Sequence, residues 1–324
     1  MPDPVVNTVE KVLLAAPRGY CAGVDRAVQT VERTLEMHGP PVYVRKEIVH
    51  NKHVVERLRE LGVIFVEQET EVPEGAVCVF SAHGVAPSVH ANAQERGLRT
   101  VDATCPLVTK VHRETLRFAE DGYTIVLVGH DGHEEVEGTM GEAPERIVLV
   151  QSEQDVDELE VEDPERIAYV TQTTLSVDET SSIVARLKER FPNLVGPRTD
   201  DICYATTNRQ TAVKQLAGSC DLMLVIGSRN SSNSVRLVEV ARDFGVDSHL
   251  IDSASEVREE WLRDKRVVGI SSGASAPENL VDELVGFFRA RGVRDISEVE
   301  AVREDVRFML PKQVREAVAA GEAS

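Results

Sequence analysis

Hydrophobic and polar residues alternate in blocks along the chain, and the blocks recur three times in the same order. Each third begins near a cysteine, where a short apolar segment ends and a helical pattern follows. The segment VDRAVQTVERTL after Cys21 places its apolar side chains on one helix face; the segment after Cys105 has the same period, and the segment after Cys203 follows it less strictly. These patterns predict three strand-to-helix turns, each with a cysteine at the turn.

Each third continues with a strand, a polar loop and a helix, then a short strand with an acidic connector, and a last strand that enters another polar loop. Strands that alternate with helices predict parallel sheets covered by helices, so the expected fold class is α/β. The predicted domains are three similar repeats at 18–104, 105–202 and 203–290, with an N-terminal strand at about 10–17 joined to the third, and a tail at 291–324 without a repeat counterpart.

The polar loops of all three repeats follow the carboxyl ends of predicted strands. In parallel α/β sheets, ligands bind at these ends, where loops lead into helix N-termini. Three similar domains packed around a pseudo-threefold axis would bring Cys21, Cys105 and Cys203 together at its centre. The sequence therefore predicts one central site built from all three repeats.

Composition narrows the function classes. The 324 residues carry a formal net charge of -19, which argues against nucleic-acid binding, since that relies on basic patches. No apolar run approaches the roughly 20 residues that span a bilayer. The opening MPDPVVNTVEK lacks the pattern of a signal peptide. We expect a cytoplasmic enzyme with no membrane or nucleic-acid partner.

Five cysteines in such a chain favour metal binding or catalysis over a disulfide framework. Cys78 and Cys220 lie in or beside apolar strands, which is typical of buried, inert thiols. The other three cysteines are candidate metal ligands. The chain contains no CxxC pair, so a structural zinc site is not indicated. An iron-sulfur cluster held by three cysteines would keep one iron open, as a Lewis acid and an electron source.

The remaining loops carry mostly neutral hydrogen-bond donors, which can bind phosphate together with helix N-termini. These candidates are His50, His83, His133, Thr173, Ser231, Ser232, Asn233 and Ser275. The chain has no GxxxxGK[ST] loop, and no GxGxxG follows a strand, so a nucleotide is not indicated. A small diphosphate is the ligand that this donor set suits.

Some of these residues have simpler interpretations. Ser275 in SAPE and Ser176 in SVDE match helix capping boxes, and for Ser275 a cap and a ligand role can coexist. Glu135, beside His133, is the candidate proton donor, because a carboxylic acid in a dry pocket can stay protonated. Its neighbours Glu134 and Glu137 fit solvated residues at a helix start.

The motifs APRGYCAGVDRAV, EIVHN, FSAHGV, DATCPLVTKVH, GHEEVEGTMGE, TQTTLSVDET, DDICYATTNRQ, GSRNSSNS and GASAPE occur in this order. Over about residues 11–312 the chain resembles the 4-hydroxy-3-methylbut-2-enyl diphosphate reductases of the non-mevalonate isoprenoid pathway. The resemblance implies a trefoil of three α/β domains around one 4Fe-4S cluster with three cysteine ligands. The chain departs from the family pattern at Glu134, where proline is common.

The resemblance also implies roles for single residues. Cys21, Cys105 and Cys203 would bind the cluster, and Glu135 and Thr173 would flank the substrate hydroxyl. The diphosphate ligands would be His50, His83, His133, Ser231, Ser232, Asn233 and Ser275. The implied reaction is a two-electron reductive dehydroxylation to isopentenyl and dimethylallyl diphosphate, with electrons from a carrier such as ferredoxin or flavodoxin.

Two other classes of protein fit parts of the pattern. A non-redox hydratase or lyase would use an open iron only as a Lewis acid, and it would consume no reductant. A cluster-based sensor would need a module that binds DNA or a partner protein. None of the three repeats contains a basic recognition helix.

Overall fold

The computed structural model describes residues 8–322 and has the predicted α/β class. All strand pairings within its three sheets are parallel. The strands are β1 Lys11–Ala16, β2 Val42–Arg45, β3 Val63–Val66, β4 Val77–Phe80, β5 Arg99–Asp102, β6 Thr124–Val128, β7 Ile147–Val150, β8 Ile167–Thr171, β9 Leu222–Ile226, β10 Asp247–Ile251, β11 Val267–Ser272 and β12 Asp295–Glu300.

Helices connect most of these strands, as parallel pairing requires. They are α1 Ala22–His38, α2 Lys52–Glu60, α3 Pro87–Glu95, α4 Pro106–Glu120, α5 Glu134–Met140, α6 Glu153–Glu158, α7 Val177–Arg190, α8 Tyr204–Ala217, α9 Ser232–Asp243, α10 Glu259–Leu262, α11 Glu278–Ala290 and α12 Lys312–Glu322. Within the described part of the chain, no helix is both long and apolar enough to cross a bilayer.

The contacts group the chain into two compact units. One contains the chain up to Cys21, His50–Val54 and Tyr204–Val306; the other contains Ala22–Val49, Val55–Cys203 and the chain from Arg307. The first unit holds one sheet and the second holds two. The three predicted domain boundaries remain predictions.

The sheet of the first unit has the order β10-β9-β11-β1-β12. Alternate residues of β9 are buried on opposite faces, because helices cover both sides of the sheet. Leu224 packs in a core with Leu284 and Phe288 of α11, whereas Val225 packs with Val213 of α8. The tail contributes β12, whose sequence DISEVE is partly exposed, as is typical of an edge strand.

The second unit contains the sheets β3-β2-β4-β5 and β7-β6-β8. In the latter, Val126 faces a core with Leu187 of α7, and Leu127 faces Phe118 of α4 on the other side.

Two helices begin at residues that favour a helix start. Pro106 begins α4, and the Ser176 hydroxyl accepts the Glu179 N–H to cap α7, as its sequence predicted.

Candidate active site

The three candidate metal-binding cysteines share one local setting. Each stands directly before a helix: Cys21 before α1, Cys105 before α4 and Cys203 before α8. In each case the backbone N–H donates to a carbonyl oxygen of a neighbouring loop: Cys21 to Ala274 (3.2 Å), Cys105 to Ala82 (2.9 Å) and Cys203 to Thr173 (3.0 Å). The predicted strand-to-helix turns are present at Cys21, after β1, and at Cys105, after β5. The prediction was wrong at Cys203, because no strand lies in the described segment between α7 and α8, and the chain there forms only an isolated bridge at Val195. The backbone of the cysteine is anchored in all three cases.

The thiols themselves divide into two kinds. Cys78 is buried, the other four cysteines are partly exposed, and none of the five described cysteines forms a disulfide. Burial raises the pKa of Cys78 to about 12 and that of Cys220 to about 11, so these two remain thiols at neutral pH. Metal is bound by thiolates, and the three turn cysteines stand directly before helices, outside the apolar strands. The donor set of the three turn cysteines thus fits an iron-sulfur cluster.

Glu135 and Thr173 form a buried hydrogen-bonded pair. The Thr173 backbone N–H donates to Glu135 Oε1 at 2.6 Å, and the Thr173 hydroxyl donates to Oε2 at 3.0 Å. Burial raises the pKa of the Glu135 carboxyl to about 7, and the hydrogen bonds from Thr173 oppose only part of that effect. A carboxyl group with this pKa is divided between acid and carboxylate near neutral pH, so it can both hold and release a proton.

His133 caps the helix that carries Glu135. Its Nδ1 accepts the Glu135 backbone N–H at 3.1 Å. Because Nδ1 is the acceptor, the hydrogen of the neutral ring lies on Nε2, which is then the donor nitrogen. The His83 ring lies edge-to-face with it at 5.9 Å between centroids. The structure thus brings His83, His133, Glu135 and Thr173 together in the second unit.

Glu134 is not the solvated carboxylate expected from the sequence. Its side chain is only 13% exposed, and Oε2 lies 3.0 Å from Nδ1 of His83 and 3.5 Å from the Ser81 hydroxyl. The expectation failed because the loop after β4 packs against the start of α5, a contact between residues distant in sequence. Glu137, on the outer side of the same turn, is exposed as expected.

The first unit gathers a second group of candidates. The Ser275 hydroxyl donates to the backbone carbonyl of His50 at 2.9 Å and lies 3.5 Å from the Ser231 hydroxyl. Asn233 is buried, and its Oδ1 accepts the Ala274 N–H at 2.8 Å. His50, Ser231, Asn233 and Ser275 therefore form one polar cluster.

Two of the predicted serines stand at the start of α9. Ser231 is the N-cap, and its hydroxyl oxygen accepts the Ser234 N–H; Ser232 is the first helical residue. The capping role considered for Ser275 was wrong. The helix α11 begins at Glu278 after Pro277, and the Ser275 hydroxyl bonds to His50 instead.

Sequence reasoning missed two groups of residues beside these clusters. Asn230 Nδ2 lies 3.5 Å from His50 Nδ1, although its place in GSRNSSN was a usable signal. Lys110 Nζ donates to Asp201 Oδ1 at 2.8 Å, and burial raises the pKa of Asp201. The signal for that pair was an acidic residue two positions before Cys203.

Comparison with known proteins places the chain in a family. The family model described as LytB protein matches residues 12–289. A 4-hydroxy-3-methylbut-2-enyl diphosphate reductase of Leifsonia xyli is 59% identical over 98% of this chain and 94% of its own length. The corresponding reductase of Nocardia farcinica is 60% identical over 95% of this chain and 92% of its own.

A solved structure agrees with these sequence matches. The E-1-hydroxy-2-methyl-but-2-enyl-4-diphosphate reductase of Plasmodium falciparum superposes with a TM-score of 0.94 at 36% identity, and the match covers 97% of this chain and 99% of that one. The fold is therefore shared over nearly the whole chain, and the sequence is clearly related. The chain belongs to the LytB protein family.

Proposed function

We propose that the protein is a reductase that removes the hydroxyl group of (E)-4-hydroxy-3-methylbut-2-enyl diphosphate. The reaction breaks the allylic carbon–oxygen bond, takes up two electrons and two protons, and gives water with isopentenyl or dimethylallyl diphosphate. The observation that carries the proposal is the buried Glu135–Thr173 pair, in a chain whose relatives of nearly equal length bear the name of this reductase.

The proposed cofactor is one 4Fe-4S cluster per subunit, held by the thiolates of Cys21, Cys105 and Cys203. These three residues support it because each precedes a helix and none is locked in a disulfide. When bound, a cluster with three protein ligands supplies electrons and an iron open to an oxygen ligand.

The proton chemistry is assigned to Glu135 and Thr173. A carboxyl group with a pKa of about 7 carries its proton often enough at neutral pH to deliver it to a leaving hydroxide. The Thr173 hydroxyl, 3.0 Å from Glu135 Oε2, can accept that proton while it donates its own. The pair can therefore move a proton between Oε2 of Glu135 and Oγ1 of Thr173.

Binding of the diphosphate is assigned to neutral donors and to the start of α9. The Nε2–H of His133 follows from its role as a cap, and the hydroxyls of Ser231 and Ser232 stand at a helix N-terminus, where anions are favoured. The complete proposed set of diphosphate ligands is His50, His83, His133, Ser231, Ser232, Asn233 and Ser275, and Thr173 completes the substrate-binding residues at the hydroxyl end. These groups hold the substrate so that its hydroxyl can meet Glu135.

The proposed electron donor is a small one-electron carrier of the ferredoxin or flavodoxin class. Cysteines that must stay reduced suit a reducing compartment, so we place the reaction in the cytoplasm. The net charge of -19 supports a small-molecule substrate over a nucleic acid.

The test is an anaerobic assay of the reconstituted protein with the hydroxylated diphosphate and reduced methyl viologen. We expect two equivalents of viologen to be oxidised for each C5 diphosphate product, measured by absorbance and by mass spectrometry. Product formation without oxidation of viologen would indicate the lyase class instead. Absence of any product from an iron-loaded protein would overturn the proposal.

A further inference from the structure

A basic side chain in the second turn of each cysteine-led helix contacts the loop before the next cysteine. Arg26 on α1 donates from Nη1 to the carbonyls of Ala103 and Thr104, at 2.9 and 3.0 Å. Those two residues come directly before Cys105. The sequence alone predicted no role for Arg26, nor for Lys110 and Arg209, which make the other two contacts.

The second contact repeats the first one repeat later. Lys110 on α4 donates from Nζ to the Thr199 carbonyl, to the Asp200 carbonyl at 3.0 Å and to Asp201 Oδ1 at 2.8 Å. These residues belong to the loop that leads to Cys203.

The third contact returns to the start of the chain. Arg209 on α8 donates from Nη2 and Nε to the Gly19 carbonyl, at 2.7 and 3.2 Å, in the loop that leads to Cys21. Its side chain is fully buried and forms an ion pair with Glu304 of the tail at 3.0 Å. In chain order, each helix thus holds the loop before the next cysteine, and the third holds the loop before the first.

Each cation also has a carboxylate nearby. Asp201 pairs with Lys110 and Glu304 with Arg209. Burial lowers the pKa of the Arg26 guanidinium, and the nearby Asp102 carboxylate partly offsets that effect. A charge-assisted hydrogen bond to a carbonyl fixes a loop more strongly than a neutral one. The same arrangement recurs at the equivalent position of all three repeats, which points to a shared task.

We propose that Arg26, Lys110 and Arg209 are positioning residues for the cysteine ligands. Arg26 holds the loop of Cys105, Lys110 holds the loop of Cys203, and Arg209 holds the loop of Cys21. This inference rests on the proposed cluster. Groups that orient metal ligands without touching the metal commonly strengthen retention of the metal.

The experiment measures iron release from the anaerobically reconstituted holoenzyme to a chelator. We expect Lys110→Met to release iron faster by about 10-fold to 100-fold, the usual cost of losing a partner that orients a ligand. Arg113→Met is the matched control, because Arg113 is an exposed residue of the same helix, and it should release iron at the wild-type rate. Lys110→Arg keeps the cation and should restore most of the retention.

A second readout tests which loop each residue holds. Iodoacetamide present during iron release should alkylate Cys203 first in Lys110→Met and Cys105 first in Arg26→Met, as mapped by mass spectrometry. Equal labelling of all three cysteines, or wild-type iron release from a folded Lys110→Met protein, would overturn the inference. A purely structural role would lower the melting temperature without changing the labelling order.

Lys110→Met leaves the buried Asp201 carboxylate without its cation, so the variant could fail to fold. The double variant Lys110→Met/Asp201→Asn removes that charge and should show the same fast iron release. Failure of the proposed function can be distinguished from failure of this inference, because a wild-type protein that holds no iron would contradict the proposed cluster itself. A wild-type protein that holds iron as loosely as the variants would contradict only the inference.

Discussion

Thr173 donates two hydrogen bonds to Glu135, one from its backbone N–H to Oε1 and one from its hydroxyl to Oε2. The backbone bond fixes the position of the carboxyl group, and the hydroxyl can reverse its direction when the carboxyl group is protonated. The pair therefore tolerates both protonation states without a change of shape, which is what repeated proton delivery requires.

Replacement of Glu135 by glutamine should abolish proton delivery and preserve substrate binding. Gln keeps an oxygen for the Thr173 N–H but cannot release a proton. We expect kcat to fall by about 100-fold to 10,000-fold with a smaller change in KM. The measurement is steady-state kinetics under anaerobic conditions. Glu137→Gln, on the exposed side of the same turn, is the matched control and should keep wild-type kcat.

Stability should depend on pH through the same carboxyl group. Its pKa is raised by burial from 4.5 in the unfolded chain to about 7 in the folded one. The folded state therefore binds the extra proton between these values, and stability from this group is lost as the pH rises through 7. The Glu135→Gln variant has no carboxyl group to ionise at this position, so it does not lose stability in this way as the pH rises. We expect its melting temperature to exceed that of the wild type by more at pH 8 than at pH 5; the opposite trend would contradict the raised pKa.

Glu134→Gln should weaken substrate binding with little effect on kcat. The Glu134 carboxylate can only accept a hydrogen bond, so at 3.0 Å it takes one from His83 Nδ1 and holds the ring in place for the proposed contact with the diphosphate. We expect KM, and the Kd for inorganic diphosphate measured by calorimetry, to rise by about tenfold, the cost of one charge-assisted hydrogen bond.

A double-mutant cycle checks that Glu134 acts through His83. In a His83→Ala background, Glu134→Gln should raise KM and the Kd for diphosphate little further, because the contact between the two side chains is already lost. Additive losses would instead mean that Glu134 acts on its own. A Glu134→Gln protein that loses kcat, beside an active Glu135→Gln protein, would exchange the roles of the two carboxylates.

Serine substitutions should separate the two kinds of cysteine. Each of Cys21→Ser, Cys105→Ser and Cys203→Ser removes one proposed ligand and should lower iron and sulfide content sharply after reconstitution. Cys78→Ser and Cys220→Ser are the controls, and both should load iron as the wild type does. Full iron loading of Cys105→Ser, or a loss of iron confined to Cys220→Ser, would contradict the proposed ligand set.

Much of the local structure followed from sequence pattern alone. Strands such as β6 and β9 are continuous apolar runs, and the helices after Cys21 and Cys105 have a clear period, so the turns between them were predictable. The strand β12 was not predicted, because the edge of a sheet needs few apolar residues and DISEVE resembles an exposed segment.

Contacts between distant residues were beyond the reach of the sequence. The partner of Glu134 is His83, on a loop of another sheet, and no local pattern encodes that approach. Ser275 matched a capping box, yet its hydroxyl bonds to His50, a residue far earlier in the chain. The partner of a polar side chain depends on the tertiary packing that brings two loops together, and periodicity describes only one segment at a time.

The position of β1 in its sheet has a consequence for synthesis of the protein. Leu13 pairs with Gly269 of β11 and with Ser297 of β12, so the first strand cannot be paired in this sheet until almost the whole chain has left the ribosome. Chains emerge N-terminus first, and long-range parallel pairing is slow. The loop of Cys21 should therefore be the last of the three cysteine loops to form on a nascent chain, and iron delivered during translation would meet an incomplete set of the proposed ligands.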